Sequence, residues 1–557
     1  MILPCCKRTH HFYEDEGDVA EDKSAGSLSY VGAAAYKVLQ KKHNWHHHTL
    51  WNVTSGKVVG PLHQTPRTGW VCTTDPPEGN DSWFPEKMGE IIARTEFFCD
   101  VMSLSPPDGL FLEQVKKALA VLADKATVRL EPIIVRMMFG NIVGMPVNCN
   151  AVIKSLTEDL PENSNIHLWV GAWRKGVSWN HAKIIAVDGY YLHTGGHNMW
   201  DAHYLQKDPI HDLSLEMEGN VTKDGHLFAN DQWAYIERKQ GTVIGTLVER
   251  IPDYLPVLWK TRVTVSEFPT GKAQTFPPPF DRSKFQRRPI VEGSVPVITL
   301  GRYGSLLRSK RPSDDAFIAM MDSAKTIIRL ALQDLGPICI PGTLVALAAW
   351  PKATLSALGR AIWEREVDVE IVLSNPGSIP GGLKPTEASY GNGWTCVDVA
   401  AEIIKTIQMQ FPIAKHDELR KKVMDNLRIT YIRETIGTKW KDGKNLGMHA
   451  KHFVVDDVCC YIGSQNLYIC DLAEWGVVID NEAQTKMIME EYWIPMWKSS
   501  YSKEDCNVEE VMDGLKIQRD TAATKFVTKA KMEETARLQA MRPSQTPPFF
   551  YENDKRG

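Results

Sequence analysis

Two stretches of the chain pair a histidine with a lysine two residues later and an aspartate five residues beyond that. The first reads Asn180-His-Ala-Lys-Ile-Ile-Ala-Val-Asp188 and is followed by Gly195-Gly-His-Asn198. The second reads Met448-His-Ala-Lys-His-Phe-Val-Val-Asp456 and is followed by Gly463-Ser-Gln-Asn466. One offset of 268 positions relates His181 to His449, Ala182 to Ala450, Lys183 to Lys451, Val187 to Val455, Asp188 to Asp456, Gly195 to Gly463 and Asn198 to Asn466. A single run of this kind arises by chance in roughly a few per cent of chains this long, so the weight lies in the repetition. Duplication of a packing pattern accounts for repeated Val and Gly but not for repeated His, Lys and Asn, which cores disfavour.

The apolar residues after each histidine read as a strand, which puts His181 with Lys183, and His449 with Lys451, on one face. If the two halves pack about a pseudo-twofold axis, two imidazoles, two ammoniums and the amides of Asn198 and Asn466 converge on a single site. That set suits a phosphodiester. The lysines and asparagines bind non-bridging oxygens and oppose the charge that grows on them, with no metal or cofactor required. One imidazole attacks phosphorus while the other protonates the leaving alcohol and later activates water. Asp188 and Asp456 lie an odd seven residues after their histidines, which turns them away and predicts a structural role in the following turn. A working histidine needs an acceptor on its other nitrogen. Asp212 and Glu474, each following its own motif, are the candidates.

The pattern resembles the phospholipase D superfamily, with its paired H-x-K-x4-D motif and trailing G-G/S-x-N, and is closer to the secreted bacterial enzymes than to the short nuclease members. The likeness runs through Ser178 to Lys183, Thr194 to Trp200, Tyr204-Leu205, Pro209 to Asp212, Gln333 to Leu335, Tyr461 to Tyr468 and Glu474 to Gly476, within roughly residues 90 to 490. It implies two similar α/β halves with one site between them, a covalent phosphohistidine on His181, acid-base work by His449, and orientation of the histidines by Asp212 and Glu474. Glu474 stands where those enzymes commonly have Asp.

Helix-then-strand grammar recurs in both halves and predicts α/β architecture. Apolar spacing at Phe111, Val115, Leu119 and Leu122 predicts a helix before a strand over Thr127–Val135, and a helix over Ala353–Trp363 precedes a strand over Val367–Leu373. The expected divisions are an extension over 1–85, a first half over 86–270, a Pro-rich linker over 271–292, a second half over 293–500 and a helical, Pro-rich tail over 501–557. A formal charge of −4 gives no general attraction to polyanions, which favours a phospholipid at a membrane surface over nucleic acid. Eleven cysteines without a C-x-x-C pair suggest neither a disulfide framework nor a zinc site. The N-terminus lacks a secretory apolar core, so a cytoplasmic or peripheral membrane location is expected, and Cys5 and Cys6 read as free surface thiols, with acylation the lesser alternative. Two motifs in one chain predict a monomer.

The leading expectation is hydrolysis of a phospholipid head-group ester, with transfer to another alcohol open to the same intermediate. A nuclease or phosphatidyltransferase, and an inactive binding scaffold, are the alternatives. His43, His46, His47 and His48 read as a polar loop, His197 and His452 as hydrogen-bonded or surface residues, and Trp173, Trp179 and Trp200 as pocket wall or core.

Overall fold

A computed structural model describes residues 27–67, 82–142, 146–161, 163–175, 178–240, 265–269, 275–285, 291–304, 311–337, 350–378, 394–412, 415–435, 437–468 and 472–519. Cys5, Cys6 and the tail beyond residue 519 lie outside them. Its strands are β1 (Trp51–Thr65), β2 (Phe98–Met102), β3 (Ile133–Gly140), β4 (Ile166–Lys175), β5 (Ser178–Trp179), β6 (Ile184–Val187), β7 (Tyr191–Gly195), β8 (Asp212–Glu218), β9 (Val265–Phe268), β10 (Val295–Arg302), β11 (Ile327–Leu332), β12 (Asp368–Leu373), β13 (Leu427–Tyr431), β14 (Lys451–Val455), β15 (Cys459–Gly463) and β16 (Glu474–Ile479). They join in the order β13-β12-β11-β14-β15-β16-β10-β1-β8-β7-β6-β2-β3-β4-β5, with β9 on β4.

Each half contributes three parallel strands, β2-β3-β4 or β11-β12-β13, followed across the sheet by three antiparallel ones. Parallel neighbours need crossovers, and helices supply them: Gly109–Ala126 and Cys149–Thr157 in the first half, Lys352–Arg365 and Cys396–Gln410 in the second. Phe111, Val115, Leu119 and Leu122 bury one face of the first of these. A capping box from Thr395 and Asp398 starts the Cys396–Gln410 helix. One apolar cluster backs each half, and a third draws on both halves, with Ile184, Leu192 and Leu215 beside Val454, Ile462 and Val477.

Four expectations change. Residues 27–67 are no extension: helix Tyr30–His43 packs Val31, Ala35 and Leu39 into the second half's core, and β1 pairs with β10 through Trp51–Gly56 and with β8 through Lys57–Thr65. Its periodicity is masked because several buried positions are polar yet partnered, as Asn52 is by Asp224. A Cβ at Gly56, where β1 changes partners, would sit 2.7 Å from Val221. The strand expected over Thr127–Val135 begins at Ile133, because the helix runs to Ala126 and Pro132 has no N–H to pair. The described part of the linker is docked: Phe280 is buried, exchanges backbone hydrogen bonds with the Asn230 side chain and stacks on His226. In the expected tail, helix Val508–Gly514 places Val511 and Met512 in the second half's core.

Candidate active site

Residues 181–183 precede β6 and His449 precedes β14, so the histidines do not sit on strands as expected. Their backbones are held by the opposite half. His181 N–H donates to Ala473 O at 2.8 Å, and His449 N–H donates to His211 O at 2.7 Å. Ala473 and His211 are the residues just before Glu474 and Asp212, which open β16 and β8. The same stitching delivers each acid to the other half's imidazole. His449 Nδ1 lies 2.8 Å from Asp212 Oδ2, and His181 Nδ1 lies 3.0 Å from Glu474 Oε1. Chain order, which places each acid after its own motif, does not reveal this crossing.

The two rings stand with centroids 6.4 Å apart and planes at 67°. His449 Nδ1 is hydrogen-bonded to Asp212, whereas His181 Nδ1 and Glu474 Oε1 are within ion-pair distance but not in hydrogen-bonding alignment; in both rings Nε2 is the atom left for chemistry. Lys183 Nζ donates to His181 O at 2.6 Å and Lys451 Nζ donates to His449 O, so both ammoniums are tethered beside their histidines. Asn198 and Asn466 are buried, and among the described residues the Asn198 amide atoms and Asn466 Nδ2 have no hydrogen-bond partner. Buried amides of that kind are costly unless a ligand satisfies them. Asp188 and Asp456 lie apart from this cluster. Asp188 accepts the N–H groups of Glu96, Phe97 and Phe98, and Asp456 those of Lys325, Thr326 and Ile327. The repeated glycines answer to close strand approach: a Cβ at Gly195 would lie 2.4 Å from Leu213 O, and one at Gly463 would lie 2.6 Å from Gly476 Cα.

Burial of four potential cations together shapes the electrostatics. Burial, then Lys451, pulls His449 down to about 3, against the upward influence of Asp212. Burial, then Lys183 and Lys451, puts His181 well below its usual value. Burial lowers Lys451 to about 7, and burial with Lys451 nearby holds Lys183 well below the ordinary lysine range. Burial raises Glu474 to about 7, opposed by Arg302 and Lys183. Burial also acts to raise Asp212, but His197, His449 and Lys451 outweigh it and leave the carboxyl well below the usual range. The site therefore favours a bound anion.

Two residues that sequence reasoning missed complete the carboxylates' surroundings. Tyr204 OH donates to Asp212 Oδ2 at 2.9 Å, and Arg302 Nη2 reaches Glu474 Oε2 at 2.5 Å. Arg302 ends β10, far from either motif in sequence, and only strand pairing brings it in. His197 is buried between Ser214 and Thr65, and His452 Nδ1 donates to Tyr461 O, so both are hydrogen-bonded core residues. Trp173 packs in the core on Tyr303, Trp179 packs against Tyr468 and Leu472, and Trp200 lies against His203. His43 faces Asp315 at 2.8 Å, His47 stacks on His48, and among the described residues no group of three or more His, Cys, Asp or Glu is placed to hold a metal.

Paired imidazoles, lysines and amides within one interface are the equipment of an enzyme of phosphodiester chemistry. Over 465 residues, 74% of this chain and 76% of the relative, the chain is 24% identical to a phospholipase D of Streptomyces antibioticus, a likeness in keeping with the paired motifs. No family profile matches the chain. Among solved structures, a phosphatidylserine synthase of Haemophilus influenzae aligns with a TM-score of 0.47 at 11% identity, covering 91% of this chain and 98% of that one. The phospholipase D family member Nuc of Salmonella typhimurium aligns with a TM-score of 0.21 at 18% identity, over 37% of this chain and 96% of its own. Among the described residues no helix is long and apolar enough to cross a membrane.

Proposed function

We propose that this protein is a phospholipase D-type phosphodiesterase that cleaves the head-group ester of a phospholipid such as phosphatidylcholine at a membrane surface, as a monomer and without a metal. The observation that carries the reading is the facing pair of imidazoles, 6.4 Å apart and each backed by a carboxylate, amid two buried lysines and the unpartnered amides of Asn198 and Asn466. The name of the Streptomyces relative supports a phospholipid substrate.

In this reading His181 Nε2 attacks phosphorus, and the bond from phosphorus to the head-group oxygen breaks as His449 gives that oxygen a proton. The product is a phosphohistidine and a free alcohol. His449, now neutral, takes a proton from water; the water oxygen bonds to phosphorus, the P–N bond breaks, and phosphatidate leaves. An alcohol in place of water gives transfer. Glu474 and Asp212 orient the two rings, Lys183, Lys451, Asn198 and Asn466 hold the non-bridging oxygens, and Asp188 and Asp456 fix the turns beyond the motif strands. The phosphate charge favours protonation of the lysines and of one imidazole, reversing the depression that burial imposes.

Choline release from phosphatidylcholine vesicles, measured beside cleavage of single-stranded DNA and head-group exchange with added alcohols, tests the substrate class. Choline release with acid-quench trapping of a phosphoenzyme that His181→Asn abolishes is the expected result. Cleavage of DNA alone overturns the lipid reading, and unchanged function in His181→Asn overturns the enzymatic one.

A further inference from the structure

The two histidines are built alike, yet the reaction just described, on which this inference rests, asks one to be an unprotonated nucleophile and the other a proton donor. The difference is found one layer behind them. Asp212 Oδ2 faces His449 Nδ1 at 2.8 Å and accepts the Tyr204 hydroxyl at 2.9 Å, while Oδ1 accepts the Leu213 N–H at 2.8 Å. Its cross-strand neighbour, in the pairing of β8 with β1, is Thr65. Glu474 occupies the matching place at the start of β16, and its cross-strand neighbour on β10 is Arg302. The guanidinium takes Glu474 Oε2 at 2.5 Å, leaving Oε1 to His181 at 3.0 Å. Arg302 is itself buried and braced from behind by Asp314, which accepts from Arg302 Nη1 at 2.8 Å and from Gln465 Nε2 at 3.0 Å. A guanidinium stays charged throughout the accessible pH range, so an ionised Glu474 always shares its charge with a second cation, whereas among the described residues Asp212 faces His197, His449 and Lys451 and no arginine.

We propose that Arg302 is a positioning residue which, through Glu474, keeps His181 unprotonated for attack, whereas Asp212, with neutral Thr65 across the strand, lends its charge to a protonated His449. The charged groups that face His181 are Glu474, Lys183, Lys451, His449 and Arg302, and those that face Glu474 are Arg302, Lys183, Lys451 and Asp314. The lysines border both histidines and cannot distinguish them; Arg302 acts on one side alone. Glu474 and His181 share a contact, so their protons are exchanged as a pair, and loss of Arg302 raises the pH at which the pair takes up a proton.

Arg302→Met and Arg302→Gln, with Arg302→Lys as the conservative control, test this. In kcat/KM profiles on a soluble choline phosphodiester, the acid limb is expected to move up by at least one pH unit in the Met and Gln variants and by less than about half a unit in the Lys variant. A merely structural role would lower the folded fraction or kcat without moving the limb. In parallel, carbon-13 histidine spectra of the folded proteins, with the His181 signal identified by its loss in His181→Asn, are expected to show that signal protonating at higher pH in Arg302→Met than in wild type. A limb and a His181 signal that do not move, or a Lys variant displaced as far as Met, overturn the proposal. If the wild-type protein turns over no phosphodiester, the functional reading fails, while the histidine spectra still decide the role of Arg302.

Discussion

The crossed carboxylates yield a test in which the leaving group reports which histidine has been disabled. Asp212→Asn keeps shape and hydrogen-bonding capacity but removes the charge 2.8 Å from His449 Nδ1. That contact places the charge centres of the carboxylate and an imidazolium about 4–5 Å apart, an attraction of about 3–4 kcal/mol at an effective dielectric of ~20. The amide retains about 1 kcal/mol of hydrogen bonding. A loss of about 2–3 kcal/mol in the step that protonates the leaving group slows it roughly 30- to 200-fold. Choline must leave with a proton, whereas p-nitrophenolate leaves as an anion. In rapid-quench experiments Asp212→Asn is therefore expected to slow choline release by that factor and the first-turnover burst of p-nitrophenolate by less than about fivefold. Glu474→Gln weakens the nucleophile and slows both. If Asp212 served the histidine of its own half, the two variants would exchange these signatures, and that result, or equal losses in both, refutes the crossed arrangement.

Two further outcomes follow from the same geometry. Lys451 titrates at about 7 in the fold against the usual lysine value near 10.5, so the unfolded chain binds more protons throughout that window; the residue's contribution to stability rises with pH across it and is lowest below pH 7. Lys451→Met should accordingly flatten the pH dependence of the melting temperature between pH 7 and 10 and raise the melting temperature at pH 7 while abolishing turnover; an unchanged slope contradicts a buried, depressed lysine. Asp188→Ala strands the backbone N–H groups of Glu96, Phe97 and Phe98, which should destabilise the fold by about 2–4 kcal/mol in urea titrations yet leave kcat/KM per folded molecule within about threefold.

The α/β grammar was legible because its carriers are local: Phe111, Val115, Leu119 and Leu122 declare a helix by spacing alone, and Val367 to Leu373 alternates as a half-buried strand does. β1 was not, since Asn52, Thr54, Ser55 and His63 are buried polar residues and erase the hydrophobic signal that a sheet centre normally carries. Within the site, residue types repeated at one offset announced His181, Lys183, Asn198 and their counterparts before any geometry was known. Arg302 and Tyr204 belong to no repeated pattern. Arg302 matters through register, opposite Glu474, and register is a property of long-range pairing that spacing cannot encode; Tyr204 matters through the local turn that folds it back on Asp212, eight residues on.

The crossing also bears on why the chain keeps both motifs in one polypeptide. His181 depends on Ala473 for its backbone hydrogen bond and on Glu474 for its ring; His449 depends on His211 and Asp212 in the same way. Each histidine takes its acceptors from the other half, so separation of the halves removes both imidazoles from those acceptors at once. A scaffold assembled from two identical chains would satisfy those contacts equally well, but it would place the same residue behind both acids. A single chain is free to set Thr65 across from one and Arg302 across from the other. The repeated motif supplies two equivalent bases; the residues outside the repeat can make them unequal, which is what a reaction needing a nucleophile and an acid at the same moment demands.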